Sequence, residues 1–453
     1  MITTAKLRTA FAWTGFLLLA GVVSAQSVAA RIPTEATYDA YMDNLIQEYS
    51  FFTASNVWLL VCCGFMILMH LGFLCLETGL NRSKNAVNIL YKNVFILSIG
   101  MVLYALTGFS TMYPPDTFNG IIRLGGWIGV DKTKFLEIMT TKSGANITYW
   151  ADFLFKATFA ATAATIASGA VAERVKLVPF MIYTAVMVGL CFPVAGSWTW
   201  GGGWLARHGF VDFAGASVVH VFGGFSALAA VLVLGPRLGK YLPDGKLRPI
   251  VGHSMPLAAI GVFLLWFGWF GFNGGSVLNA QPERIGRVLV VTALAGCTGA
   301  LSSMVISQIL LRRPDLSMAL NGVLAGLVSI TGGADSIEPL WGMVAGAIGG
   351  VIVVLSVIFF DKIKVDDPVG AVSVHAVCGL WGTIAVGIWG SGKLLWQVIG
   401  GLSYALIAFV VGFALFSLLK LIMGVRVTEA EEIEGLDLAE HGQKAYTEEN
   451  HGV

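Results

Sequence analysis

Two stretches of nine residues decide the fold: DFAGASVVH, from Asp212 to His220, and DPVGAVSVH, from Asp367 to His375. They share the Asp, a Gly, an Ala, a Val and the final His, and each opens a long apolar run. On a helix, each His lies eight residues, or about 12 Å, beyond its Asp. If the two helices enter a hydrocarbon core of about 30 Å from opposite faces, both imidazoles arrive near its middle. The pattern predicts an inverted repeat with a functional site at the midplane.

The composition is that of a polytopic membrane protein. Of the 453 residues, 56% are hydrophobic and 12% are charged, which is about half the charged fraction of an average soluble domain. The 55 glycines suit helix packing in lipid, where small residues let backbones approach closely. The net charge of +1 gives no reason to expect nucleic acid as a partner. The six cysteines lie in apolar runs without metal-site or disulfide spacing, so we expect no metal, and no cofactor is indicated.

The N-terminus predicts a secretory signal peptide. Lys6 and Arg8 precede an apolar run that ends near Val23, and small residues follow at Ser24 and Ala25. We therefore expect residues 1–25 to be cleaved, with a retained extra helix as the alternative.

Eleven further apolar segments predict an all-α polytopic membrane protein with eleven transmembrane helices in residues 50–423. Their limits are 52–76, 93–113, 150–172, 178–198, 213–235, 255–272, 286–310, 319–333, 340–360, 369–388 and 395–420. Basic residues follow every odd-numbered segment, such as Arg174 and Lys176 after the third, which makes those ends cytoplasmic. The N-terminus is then outside and the C-terminus inside. Segments 1–5 and 6–10 then form two inverted five-helix repeats, and the eleventh helix is peripheral. The polar cytoplasmic tail, 424–453, is either a solvated terminus or a docking arm.

The two histidines are the first candidate site. A single buried His is usually a packing residue, but two at similar depth in a membrane predict function, because ionisable groups there are expensive. Burial disfavours the charged imidazolium, so we expect His220 and His375 to be mostly uncharged and to share one hydrogen. Such a pair suits a small neutral hydrogen-bonding molecule or a proton relay. It does not suit a hydrated alkali cation, which needs carbonyl or carboxylate oxygens.

Aromatic residues form the second candidate element. Trp198, Trp200 and Trp204 surround a run of three glycines at the outer end of the fourth segment. Tryptophans at this depth are ordinarily interface anchors, and a ring near an outer mouth could also attract a cation.

The chain resembles the Amt/MEP/Rh superfamily of ammonium transporters, on its Amt side, from about residue 50 to the end. The resemblance rests on motifs in the same order: GLNRSKNAVN (79–88), SGAVAER (168–174), WGGGWLA (200–206), DFAGASVVH (212–220), WFGWFGFNGGS (266–276), DDPVGAVSVHAVCG (366–379) and EGLDLAEHG (434–442). It implies a homotrimer in the lipid bilayer of the inner (plasma) membrane, with one pore per subunit. It also implies a transporter of ammonium and ammonia, not an enzyme.

The resemblance assigns roles to residues by motif. It implies that NH4+ is recruited at an outer site by Trp200, Phe155, Phe159 and Ser276. It implies a gate made of Phe159 and Phe272, and an acid below the outer site, Asp212, that serves entry or structure. The deprotonated NH3 then passes a pore lined by the twin histidines His220 and His375 and, near the inner end, by Thr331. Whether the proton travels separately along the histidine pair is left open by the residues themselves.

One residue departs from the pattern, because family members usually carry Gln where this chain has Lys156. We expect an Asp152–Lys156 pair at i, i+4 with the ammonium group reaching outward to water. If Lys156 faces the outer site instead, its charge repels NH4+. The alternative function is then an ammonium sensor or receptor with slow or no transport.

The tail and two weaker alternatives complete the sequence predictions. The tail resembles the Amt tail that docks against neighbouring subunits and binds PII signal proteins, so a PII protein is an expected partner. An Rh-like pore for CO2 or water fits the Amt-type motifs less well. An intramembrane enzyme is not expected, because Ser373 and His375 point to different faces of one helix.

Overall fold

The computed structural model describes residues 50–114, 118–128 and 147–446, which are almost entirely helical. Within these ranges, ten helices are long and apolar enough to cross a membrane, and a shorter apolar helix of 16 residues, α8, lies among them. In chain order they are α1 Ser50–Leu80, α2 Ser83–Met112, α3 Tyr149–Ala170, α4 Leu177–Ser197, α5 Ala216–Leu234, α6 Met255–Gly275, α7 Pro282–Leu311, α8 Leu316–Thr331, α9 Pro339–Lys362, α10 Val372–Trp389 and α11 Leu394–Met423. The all-α membrane class is confirmed. The count of eleven stays a prediction, because α8 is shorter than the roughly 20 residues of a typical span. The predicted signal peptide, 1–25, lies outside the described residues.

Helices α1 and α6 pack with their backbones in contact. A Cβ on Gly72 would lie 2.7 Å from the backbone nitrogen of Leu265, and a Cβ on Gly79 would lie 2.5 Å from that of Ala258. No side chain fits at these distances unless a helix moves. The glycines therefore allow the close approach of two long apolar helices, as the composition predicted.

Helices α5 and α10 run in opposite directions and cross near their histidines. Arg237, just after α5, pairs with Asp366, just before α10, and the nitrogen of Lys393, just after α10, bonds the carbonyl of Gly209, before α5. Each helix therefore starts at the end of the bundle where the other stops. These directions agree with the predicted inversion of the two Asp–His stretches.

The crossing itself depends on a glycine. A Cβ on Gly224 of α5 would overlap the backbone nitrogen of Ala376 in α10. Gly224 lies one helical turn beyond His220, and Ala376 is the next residue after His375. The close contact therefore brings the two histidine-bearing turns together in the interior.

One end of the bundle, which we call the tail face, is held by a buried ion network. Glu173 pairs with Arg82 at 2.6 Å and with Arg237 at 3.4 Å, and Arg237 pairs with Asp366 at 2.8 Å. Burial alone would raise the pKa of both carboxyls. At Glu173 the charge of Arg237 and the hydrogen bonds from Arg82 outweigh burial, and its pKa lies below the ordinary range. At Asp366 the hydrogen bonds from Arg237 and the charges of Arg174 and Arg237 do the same, and its pKa is also lowered. The network ties together the loops that follow α1, α3, α5 and α9.

The tail packs on the same face. It contains two short helices, α12 Glu429–Glu434 and α13 Leu436–His441. The Glu432 carboxylate accepts the N–H of Leu238 at 2.7 Å, and the Asp437 carboxylate accepts the N–H of Asn88 at 2.9 Å. Both acids are 2% exposed. Up to residue 446, the tail is therefore an arm docked on its own chain. We call the opposite end of the bundle, which carries Trp198, Trp200 and Trp204, the tryptophan face.

Replacing Asp366 by Asn is expected to lower the thermal stability of the detergent-solubilised protein. Arg237 would lose its main partner, which in a buried pair costs roughly 3–5 kcal/mol. Because folding depresses the pKa of Asp366, its contribution is complete above the unfolded value of about 4 and is lost as the pH falls below it. The melting temperatures of the two proteins should therefore differ at pH 7 and converge in acid.

The matched control is Asp244→Asn, because Asp244 pairs with Lys246 at 2.9 Å on an exposed surface. Exposed pairs contribute little, so this variant should melt with the wild type. Equal melting of Asp366→Asn and wild type at pH 7 would show that the network does not hold the loops.

Candidate functional site

Two aspartates fix the starts of the histidine helices. The Asp212 carboxylate accepts four backbone N–H groups at 2.7–2.8 Å, from Gly215, Ala216, Ser217 and Val218. The Asp367 carboxylate accepts three at 2.6–3.3 Å, from Val369, Gly370 and Val372. The glycine that both stretches share has a left-handed backbone in each, with φ of 109° at Gly215 and 80° at Gly370. The repeated Asp and Gly therefore encode the same turn twice.

The two turns bring the histidines into contact. His375 Nδ1 and His220 Nδ1 lie 3.2 Å apart, and the two rings are stacked with centroids 5.1 Å apart. Both side chains are buried, at 3% and 0% exposed. A hydrogen bond between two Nδ1 atoms requires a proton on one and a lone pair on the other, which fits the predicted sharing of one hydrogen. His220 Nε2 has no hydrogen-bond partner among the described residues.

A column of aromatic rings leads from the tryptophan face to this pair. The ring of Trp200 lies 5.4 Å from that of Phe159, and Phe159 lies 4.3 Å from Phe272. Phe272 in turn stacks on His220 with centroids 5.4 Å apart. The indole N–H of Trp200 donates to the Asp212 carbonyl at 2.8 Å. The residues predicted to form the outer site, the phenyl gate and the histidine pair therefore lie along one continuous column of rings, which we call the lane.

Phe155 and Ser276 lie at the tryptophan end of this column. The rings of Phe155 and Phe159 are 4.9 Å apart, and a Cβ on Gly275, the neighbour of Ser276, would lie 2.5 Å from the Phe155 ring. The Ser276 hydroxyl donates to the Phe272 carbonyl of its own helix at 2.8 Å. The motif-based recruitment residues are thus neighbours.

Thr331 lies beside the middle of the lane and not near the inner end, where we predicted it. It ends α8, and the carbonyl of the next residue, Gly332, accepts the N–H of Phe213, which follows Asp212. Its hydroxyl accepts the indole N–H of Trp269 at 2.8 Å and donates to Leu327 at 2.7 Å. The expectation of a position near the inner end was wrong, because α8 runs away from the tail face and Thr331 is its last residue.

Lys156 is also not where we expected it. Its Nζ lies 5.0 Å from the ring centroid of Trp200, 5.5 Å from that of Phe155 and 5.9 Å from those of Phe159 and Tyr113. The residue is 8% exposed and Asp152, one turn earlier, is 7% exposed. The prediction that the ammonium group reaches outward was wrong. Helix α3 is enclosed by other helices, and the ring faces attract a cation inward.

Sequence reasoning missed Trp269, which belongs to the site. Its ring stacks on His220 with centroids 5.0 Å apart, and its indole N–H donates to the Thr331 hydroxyl. A signal was available, because Trp269 precedes Phe272 by three residues and such pairs share one helix face. Among the described residues, no group of three or more His, Cys, Asp or Glu side chains could hold a metal ion.

A bundle of membrane-length helices around a buried polar pair in an apolar lane defines a membrane transport protein. The chain belongs to the Ammonium Transporter Family, whose model matches residues 57–446. The predicted family is therefore confirmed. So is the expectation that the chain is a transporter and not an enzyme, since its relatives are transporters.

Two relatives illustrate the similarity. The ammonium transporter Amt2 of Archaeoglobus fulgidus is 40% identical over 421 residues, which cover 86% of this chain and 87% of the relative. A putative ammonium transporter of Synechocystis sp. is 39% identical over 437 residues, which cover 94% of this chain and 93% of the relative.

Solved structures agree with this assignment. A structure described as a sensor Amt protein matches with a TM-score of 0.81 at 35% identity, covering 86% of this chain and 99% of that one. The crystal structure of Candida albicans Mep2 matches with a TM-score of 0.75 at 27% identity, covering 87% of this chain and 90% of the other.

Proposed function

We propose that this member of the ammonium transporter family recruits NH4+ at Trp200, Phe155, Phe159 and Ser276, removes its proton, and passes NH3 through the lane. The phenyl rings of Phe159 and Phe272 are the gate, and His220 and His375 are the midpoint of the pore. The observation that carries the proposal is the buried contact of 3.2 Å between the two imidazoles at the end of an apolar ring column. The lane offers one donor and one acceptor and little else that is polar.

The proposed lane separates ammonium from potassium by whether the ion can lose a proton. Ammonium and potassium have similar size and charge, so a cage of carbonyls separates them poorly. Moving a charge to the centre of a bilayer costs at least about 2.5–3.5 kcal/mol. Ammonium can leave its proton behind and cross as a neutral molecule, whereas potassium cannot. We further propose that the proton travels separately along the histidine pair.

In this proposal Asp212 has a structural role. Its four hydrogen bonds to backbone N–H groups occupy both carboxylate oxygens. Its backbone carbonyl accepts a hydrogen bond from the indole N–H of Trp200. The residue therefore fixes both the helix that carries His220 and the ring that recruits the cation, and it need not contact the passing molecule.

We also propose the membrane arrangement. Residues 50–423 form the transmembrane domain with eleven spans, the N-terminus outside and residues 424–453 in the cytoplasm, after cleavage of residues 1–25. The positive-inside rule supports this orientation, because Arg82, Arg174 and Arg237 lie on the tail face. The family resemblance supports a homotrimer in the inner membrane, with one pore per subunit.

A PII signal protein is the partner we propose for the tail face, because the tail packs on that face and carries the EGLDLAEHG motif. Immobilised full-length protein in detergent should retain purified PII in at least one nucleotide-bound form, and a column without the transporter should not. Passage of PII through both columns in every nucleotide state would contradict this partner.

Replacing both histidines by Ala should abolish ammonium-driven charge transfer. The variant keeps the outer site but loses the donor and acceptor at the middle of the lane. Purified wild type and His220→Ala/His375→Ala, in matched liposomes on a solid-supported membrane, would be pulsed with ammonium. Undiminished current in the double variant would exclude the pair from the conduction path.

A second candidate function is an ammonium sensor with slow or no transport. The position of Lys156 favours it, because a tethered ammonium group occupies the ring faces that would attract NH4+. The similarity to a solved sensor Amt protein is consistent with this reading. The two candidates differ in what removing the lysine charge does.

Replacing Lys156 by Gln or by Met is expected to lower the ammonium concentration for half-maximal current by about tenfold, the scale of one cation–π contact of 1–2 kcal/mol. Both substitutions remove the competing charge, and Met keeps a long apolar side chain as the matched control for shape. If the wild type gives no current and both variants do, the sensor is the better-supported function. If both variants match the wild type, Lys156 does not compete with the substrate.

A further inference from the structure

A buried carboxylate lies on the other side of the histidine pair, towards the tail face. Glu77 of α1 is 2% exposed. Its carboxylate accepts the hydroxyl of Ser168 at 2.8 Å and the amide of Asn93 at 3.1 Å. The Thr165 hydroxyl, which donates to Asn93 at 2.9 Å, lies 3.5 Å from the same carboxylate. The recruitment site, the gate and the histidine pair use none of these groups. An ionisable residue at this depth is a functional candidate in its own right.

A small cavity joins Glu77 to the histidine lane. Glu77 and His375 both line it, together with Phe73, Thr165 and Asn321. Its volume is about 20 Å³, and a cavity with polar partners needs only about 10–15 Å³ to hold one water molecule. The cavity that His375 and Glu77 both line therefore has room for about one water molecule.

Lys92 supplies the compensating charge for this carboxylate. It is 0% exposed, its Nζ donates to the Ser168 carbonyl at 3.1 Å, and its charge acts on Glu77. Beside Lys92 the carboxylate stays ionised and able to accept a proton. Protonation leaves the buried Lys92 charge uncompensated, and this favours release of the proton again.

Glu77 is also close to the tail face. Asn81, at the end of α1, donates its amide to the Glu77 carbonyl at 2.7 Å, and the Asn81 carbonyl accepts the N–H of His253 at 2.9 Å in a partly exposed loop. Glu77 is thus one helical turn from the tail face. It lies between the histidine pair and the solvent on that side.

We propose that Glu77 is the acceptor of the proton that crosses the histidine pair. A proton from ammonium binds His220 Nε2, which has no other partner, while the hydrogen on His220 Nδ1 moves to His375 Nδ1. His375 then gives up its Nε2 proton through the cavity, and an O–H bond forms on the Glu77 carboxylate. One N–H bond of ammonium is broken in total, one O–H bond is formed, and no electrons change hands. The proton then passes to water at the tail face. The inference rests on the proposed function, since it needs a proton that enters the lane.

The test separates charge from ammonia in the intact protein. Wild type, Glu77→Gln and Glu77→Asp would be reconstituted in liposomes. Current would be recorded on a solid-supported membrane, and ammonia entry would be followed by assaying total internal ammonia plus ammonium after rapid filtration, with empty liposomes as the background. Gln keeps the shape and the hydrogen-bond acceptor but cannot take up a proton. Glu432→Gln is the matched control, because Glu432 is equally buried at 2% exposed but lies in the tail. Melting curves verify that each variant is folded.

We expect Glu77→Gln to lose current by about a hundredfold or more, the smaller end of what a proton-transfer group contributes. Ammonia entry should stay close to the wild-type rate, Glu77→Asp should recover part of the current, and Glu432→Gln should behave as wild type. Unchanged current in Glu77→Gln would overturn the inference, and so would an equal loss of current and ammonia entry in a folded variant. If the wild type takes up ammonia but gives no current, the inference about Glu77 is overturned, while ammonia transport through the lane still stands. A wild type silent in both measurements would contradict the proposed function as well.

Discussion

The site depends on two carboxylates that bind backbone N–H groups. Asp212 and Asp367 each gather the free donors at the start of a helix, and each forces the following glycine into a left-handed conformation. Such charge-assisted bonds are stronger than neutral ones. They set where α5 and α10 begin and therefore where His220 and His375 lie. Because the helices run in opposite directions, one sequence pattern used twice produces two imidazoles 3.2 Å apart.

The remaining charges are arranged so that the lane stays apolar. The arginines and acids of the tail face neutralise one another in a buried network, and the docked tail covers part of that face. Lys156 is the exception at the other end, where its charge lies among aromatic rings. In the function we propose, the Lys156 ammonium group lies where an ammonium ion would bind, and this residue distinguishes the transporter from the sensor.

Much of the architecture could be predicted from the sequence, because it is encoded locally. Hydropathy gives the helices, and the repeated Asp–Gly–His pattern predicts the inversion and the meeting of the histidines. The errors concern contacts between distant segments. Lys156 was expected to reach water because its helix neighbours suggested a pair with Asp152, whereas Trp200 and Tyr113 come from other parts of the chain. Thr331 was assigned to the wrong depth because a motif gives a residue's identity and not the direction of its helix. Glu77 was overlooked although an acid in an apolar run is a signal in itself.

The central claim is that this lane admits only a cation that can leave its proton behind. The most direct test is to pulse the same wild-type liposomes with ammonium and with potassium at equal concentration and ionic strength, on one solid-supported membrane. The account predicts a current with ammonium and none with potassium. Comparable currents from the two ions would mean that a hydrated or coordinated cation passes the histidine pair, and would contradict it.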